Sequence, residues 1–184
     1  MIKATVGEYN QSEQEWPVDA VDVGIESIIF HQDFKLRDYV NDIALLRLER
    51  DLEWGPSVWP ACLSDSNEIV VDDDEKETER MKATVYGWGQ AHDFHDDKSI
   101  CFITTQFPPK YFSSANRLSS KNNRIDILSP LGDSGSALVS GMGTRLPTVI
   151  GIVVAGSGCG KPGFPGIYTN VPVYVDWIKS KISD

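Results

Sequence analysis

Basic side chains are scarce in this chain: 17 Lys and Arg stand against 27 Asp and Glu, a formal net charge of -10. So acidic a surface neither tracks nucleic-acid phosphates nor favours an anionic bilayer, and nucleic acid and membrane are set aside as partners. Long hydrophobic runs are also missing, none approaching the ~20 apolar residues that span a bilayer. The opening Met1-Ile2-Lys3-Ala4-Thr5-Val6 has no basic start, apolar stretch or small-residue cleavage site, so no export signal is expected within the chain. Cysteine is rare. Cys62, Cys101 and Cys159 form neither a metal-ligand cluster nor an even disulfide framework, which leaves at least one thiol over. Nothing in the composition calls for a metal or an organic cofactor.

What remains is ordinary globular composition, 41% hydrophobic and 24% charged over 184 residues, enough for one compact domain with a sizeable core. Apolar runs rich in β-branched and aromatic residues recur at Val21 to Phe30, Ile43 to Leu48, Ala83 to Trp88, Ile100 to Phe107 and Thr148 to Ala155. Gly, Pro, Asn and Asp clusters separate them, which predicts an all-β barrel or sandwich. Helical period is confined to the tail, where Val171, Tyr174, Val175, Ile178 and Ile182 share a face and Pro172 falls in the first turn. The acidic stretch between Ser64 and Arg80, including Asp72-Asp73-Asp74-Glu75, and the polar stretch from Gln90 to Lys98 read as solvated loops. Asn10-Gln11-Ser12 satisfies the glycosylation sequon, which matters only if the chain enters the secretory pathway.

One short motif carries chemistry. In Gly132-Asp133-Ser134-Gly135, small residues flank a serine and lead into the apolar Ala137-Leu138-Val139. Serine is a weak nucleophile unless a base is held beside it, and glycine lets backbone N–H groups approach a developing oxyanion. Ser134 is then the candidate nucleophile, with the Gly132 and Ser134 amides as oxyanion donors. On four residues alone, a tight turn of small polar residues is an equal reading.

Several further stretches resemble the trypsin and chymotrypsin family of serine proteases. Asn41-Asp42-Ile43-Ala44-Leu45-Leu46 is similar to the segment carrying the triad aspartate, and Tyr86-Gly87-Trp88-Gly89 to a mid-domain strand end. Gly151-Ile152-Val153, Gly156-Ser157-Gly158-Cys159, Pro165 to Val171 and Asp176-Trp177-Ile178 resemble the family's last strands and helix, all in family order. Val6 to Asn10, followed by Val23 to His31, resembles the region just after the catalytic histidine, most closely in proteases of arthropod clip-domain cascades. The resemblance implies a trypsin-like double six-stranded β-barrel with a C-terminal α-helix. It also implies that residues 1–184 form one partial protease domain whose first barrel is incomplete.

On that resemblance Asp42 orients the base, Ser134 attacks, Gly132 and Ser134 hold the oxyanion, and Asp133 supports the site by pairing with a freed amino terminus. The base itself is not matched. His31 sits in a stretch similar to a surface turn of the family, and His92 and His95 have metal-like spacing but no third or fourth ligand, so both read as loop residues. Leu128 stands where a trypsin has the aspartate of its pocket floor, and Asp126 lies two residues before it. Ala155 replaces a tryptophan of the pocket wall, while Gly156 and Gly166 keep the walls open. An apolar specificity pocket is the expectation.

The cysteine pattern departs from the family too. Pro130 occupies the place of the partner expected for Cys159, Ala83 and Ser140 jointly replace another pair, and Cys62 resembles the cysteine that tethers an upstream propeptide. The implied activity is serine-type endopeptidase, impaired in this chain for want of the histidine. The alternative is a non-catalytic homologue that binds or regulates in an extracellular proteolytic cascade. A truncated product that folds poorly is the third expectation, since removing strands from a barrel uncovers edges and core. Partners would be protein or peptide substrates, other cascade proteases or inhibitors, in an extracellular setting.

Overall fold

The computed structural model describes residues 2–8, 20–63, 81–88, 101–107, 117–119, 132–141, 147–155 and 167–182, with the backbone alone at 81, 82, 86, 101–107, 117–119 and 155. These residues belong to two compact units, one ending at Pro60 and the other beginning at Ala61. Strands dominate both, as the β-branched runs require.

In the first unit β1 (Lys3–Val6), β2 (Val21–Phe30) and β3 (Ala44–Leu48) form an antiparallel sheet in the order β1-β2-β3. Opposed residues in such a ladder share a face. The register places Ala4 opposite Val23, Val6 opposite Val21, Ile25 opposite Leu48, Ile28 opposite Leu46 and Phe30 opposite Ala44. One face is therefore wholly apolar along this stretch. A bulge between Ile25 and Ser27 makes this possible, since strict alternation from Ile25 would put Ser27 and Ile29 on that face instead of Ile28 and Phe30. The opposite face carries Lys3, Thr5 and Asp22, joined by hydrogen bonds from Lys3 Nζ and Thr5 Oγ1 to the Asp22 carboxylate. Those bonds, Lys3 first, hold the Asp22 carboxyl below the usual carboxylate range. Val23 and Ile43 are the buried apolar residues described in this unit, whereas Phe30 and Leu46 are well exposed.

The second unit holds β4 (Cys62–Leu63), β5 (Met81–Gly87), β6 (Cys101–Phe107), β7 (Arg117–Ser119), β8 (Ala137–Ser140), β9 (Thr148–Ala155) and β10 (Ile167–Asn170). Its sheet runs β6-β5-β8-β9-β10-β7, with β4 paired in parallel to the start of β9. Among the described residues neither sheet closes into a barrel, while the all-β architecture with a terminal helix is as the sequence predicts. Ala83, Val85, Leu138, Ile150, Val153 and Tyr168 form the core of this unit. Ala83 lies directly opposite Ser140, so the two positions expected from the resemblance to replace a cystine are partners in the ladder.

The C-terminal helix differs in its first turn. Val171–Tyr174 is a 3-10 turn and α1 covers Val175–Ile182. A 3-10 turn is a common way for a helix to begin, and Pro172 near its start gives up only an N–H that a first turn leaves without an intrahelical partner. Val171, Tyr174, Val175 and Ile178 are buried as the period predicts, but Ile182 is exposed in the last turn. Periodicity sets the direction of a side chain, not whether a neighbour covers it.

Candidate active site around Ser134

The motif residues 132–135 form a turn leading into β8. The Ser136 N–H donates to the Asp133 carbonyl at 2.8 Å, which closes a four-residue turn with Ser134 and Gly135 at its centre. Gly135 has φ 90°, the left-handed backbone that the third position of a type II turn demands, and this explains the second glycine of the motif. Gly132 has φ 108°, again a conformation that a side chain would strain. The turn is tied to β9 on both sides. Gly135 N–H donates to Val153 O at 2.8 Å, and Val153 N–H donates to Ser136 O at 2.9 Å. Ser134 is thereby presented to solvent at the apex of an anchored turn.

Beneath it the neighbouring Asp133 points the other way and is 1% exposed. Its carboxylate lies against Gly87, the last residue of β5, so closely that a β-carbon built there would come within 2.2 Å of Oδ1 and 2.6 Å of Cγ. Ser136 Oγ would stand 3.0 Å from that built β-carbon. Alternating exposure of Ser134 and burial of Asp133 thus rests on a glycine far away in the chain. In the sequence Gly87 stands out only as part of a strand-end motif, and a glycine ending an apolar strand is the one local signal of such a close approach.

Asp42 belongs to the first unit and is described there. It is half-buried in the turn before β3, between Asn41, which has φ 56°, and the buried Ile43. The Ile43 N–H donates to the Asn41 carbonyl at 2.9 Å, folding the chain tightly around Asp42. His31 lies in the same unit, where its N–H donates to Ile43 O at 3.2 Å and its Nδ1 accepts the Asp33 N–H at 3.2 Å. One ring nitrogen of His31 is thus engaged in a local turn.

Ala155 ends β9 opposite Ile167. Leu128, Gly156 and Gly166 lie outside the described residues, as do Asp126, Pro130, Cys159, His92, His95 and the acidic segment at 72–75. Cys62 is a half-buried free thiol. Among the described residues no cluster of His, Cys, Asp or Glu could hold a metal ion, and no helix is long and apolar enough to cross a membrane.

The family model for trypsin matches residues 2–178. The chain belongs to the trypsin family. Among relatives, it is 32% identical over 98% of its length to CLIP domain-containing serine protease B4 of Anopheles gambiae, covering 54% of that protein. It is 28% identical over 97% of its length to the proclotting enzyme of Tachypleus tridentatus, covering 49% of it. A third relative is the inactive CLIP domain-containing serine protease A3 of Aedes aegypti, 27% identical over 99% of this chain and 40% of its own. This trypsin-family chain spans about half the length of the curated relatives it matches.

Proposed function

We propose that the chain is one partial serine endopeptidase domain in which Ser134 is the nucleophile. The observation that carries this reading is the anchored turn, with Ser134 exposed at its apex and Asp133 buried beneath it. In the proposed reaction Ser134 Oγ attacks a peptide carbonyl and gives its proton to a base, and the Gly132 and Ser134 amides hold the oxyanion. The C–N bond then breaks, the amine leaves with that proton, and water hydrolyses the acyl-enzyme. Asp42 orients the base, Asp133 supports the oxyanion loop, and Leu128, Ala155, Gly156 and Gly166 line an apolar specificity pocket.

None of His31, His92 and His95 is assigned as the base. Loss of the triad histidine costs on the order of 10⁶ in turnover, about 8 kcal/mol of transition-state stabilisation, so the 184-residue chain is expected to be nearly inert as a peptidase. Its setting is an extracellular proteolytic cascade, with protein substrates, other cascade proteases or inhibitors as partners.

A second reading is a non-catalytic homologue that binds or regulates within such a cascade. It draws on the inactive Aedes aegypti relative and on the Ala83–Ser140 pair where the family has a cystine. Intact mass and amino-terminal sequence of the natural protein, combined with labelling by a serine-directed fluorophosphonate, separate the two. A longer chain labelled at Ser134 supports the endopeptidase, and an unlabelled chain starting at Met1 supports the non-catalytic homologue. A labelled chain starting at Met1 would show that another group activates Ser134 and would overturn the account of the base.

A further inference from the structure

The segment between β2 and β3 is held in an unusual backbone. Tyr39 and Asn41 have φ 50° and 56°, two left-handed residues with side chains in a stretch of three. Left-handed backbone costs an L-residue with a β-carbon on the order of tenfold in population, less for asparagine, so two such residues persist only where the surroundings hold them. The holding contacts are on either side. Lys35 and Val40 exchange backbone hydrogen bonds at 3.0 and 3.3 Å, closing the hairpin below. The Asn41 side-chain Nδ2 donates to the Asp33 carbonyl at 2.9 Å, strapping the segment to the turn that follows β2. Beyond Asp42, Ile43 is 7% exposed and its N–H closes back on Asn41 O at 2.9 Å.

We propose that Asn41 is a positioning residue for Asp42, acting through its left-handed backbone and its amide strap to Asp33; this rests on the reading of Asp42 as the triad acid. Asparagine suits the place on two counts. It tolerates the left-handed region better than other residues with a β-carbon, and its amide donates to a carbonyl that aspartate could not satisfy. Asp42 sits between that strap and the buried Ile43, so its two backbone neighbours are fixed before any partner is bound.

The test uses the 184-residue chain with isotope labelling, reading the Asp42 carboxyl carbon by NMR and the Ile43 amide by hydrogen exchange. In N41A both devices are lost. Ile43 exchange is expected to speed up roughly tenfold and the Asp42 signal to move, while Val23 and the other β2 amides keep their rates. In N41G the backbone device survives, so Ile43 exchange stays within about twofold while the Asp42 signal still moves. N41G also serves if N41A does not fold. An unmoved Asp42 signal in N41G overturns the strap, unchanged Ile43 exchange in N41A overturns the backbone device, and a uniform change across β2 overturns positioning in favour of a general structural role. These signals report where Asp42 is held, so they fail separately from the labelling test of what Asp42 and Ser134 do.

Discussion

A methyl group placed on Gly87 tests how the turn of Ser134 is supported. The added carbon of Gly87→Ala would lie 2.2 Å from Asp133 Oδ1 and 2.6 Å from Cγ, where ordinary contact begins near 3.4 Å. The carboxylate must therefore retreat by about 1 Å, yet Asp133 is 1% exposed and Ser136 Oγ stands on the same side. Overpacking of this kind costs about 1–3 kcal/mol. Against it, replacing a strand glycine restricts the unfolded chain and returns about 0.5–1 kcal/mol. The clash wins, for a net loss of about 1–2 kcal/mol in urea unfolding. Displacing the carboxylate also loosens the turn, so exchange of the Gly135 N–H, bonded to Val153 O at 2.8 Å, should accelerate more than that of the β8 amides. The deciding measurement is a double-mutant cycle with Asp133→Ala, which removes the atoms that clash and should relieve at least ~1 kcal/mol of the Gly87→Ala cost. An equal cost in both backgrounds, or a more stable Gly87→Ala chain, would refute the packing argument.

Two further outcomes are expected. Ala83 and Ser140 are opposed in the ladder, where Cα separations of roughly 4.5–5.5 Å fall within disulfide reach, so Ala83→Cys with Ser140→Cys should oxidise to a crosslink seen by peptide mapping. By the chain-entropy argument it raises stability by at most about 4 kcal/mol, and failure to oxidise would mean that the β5–β8 register is wrong. Tyr168 is fully buried, and desolvation of the phenolate pushes its pKa up from 10.0 to about 12. Its folded value exceeds its unfolded one, so its contribution is complete below pH 10 and is lost as pH rises from about 10 to about 12, on the order of 3 kcal/mol in all. Phenolate absorbance should show a step near pH 12, and Tyr168→Phe should remove it.

Much of this architecture is written locally in the chain. The runs at Val21 to Phe30 and Thr148 to Ala155 become β2 and β9 at their expected ends, because β-branched side chains suit a pleated surface and turn residues bound them. Val171, Tyr174, Val175 and Ile178 face inward as their spacing requires. Gly132-Asp133-Ser134-Gly135 was recognisable as a candidate nucleophile turn because both glycines answer a backbone demand made within four residues. The neighbours of His31 predict a turn, and its Nδ1 accepts the Asp33 N–H there at 3.2 Å.

Other features depend on partners distant in sequence. Nothing in the residues around Glu26 announces the bulge that brings Ile28 and Phe30 onto the apolar face, since a bulge is defined by the strand opposite. The burial of Asp133 against Gly87, and the amide of Asn41 reaching Asp33, are close approaches between segments that only pairing and packing bring together. Residue chemistry and periodicity specify which elements form and which groups can react; register and packing specify what each group faces, because those interactions join atoms whose separation along the chain says nothing of their separation in space.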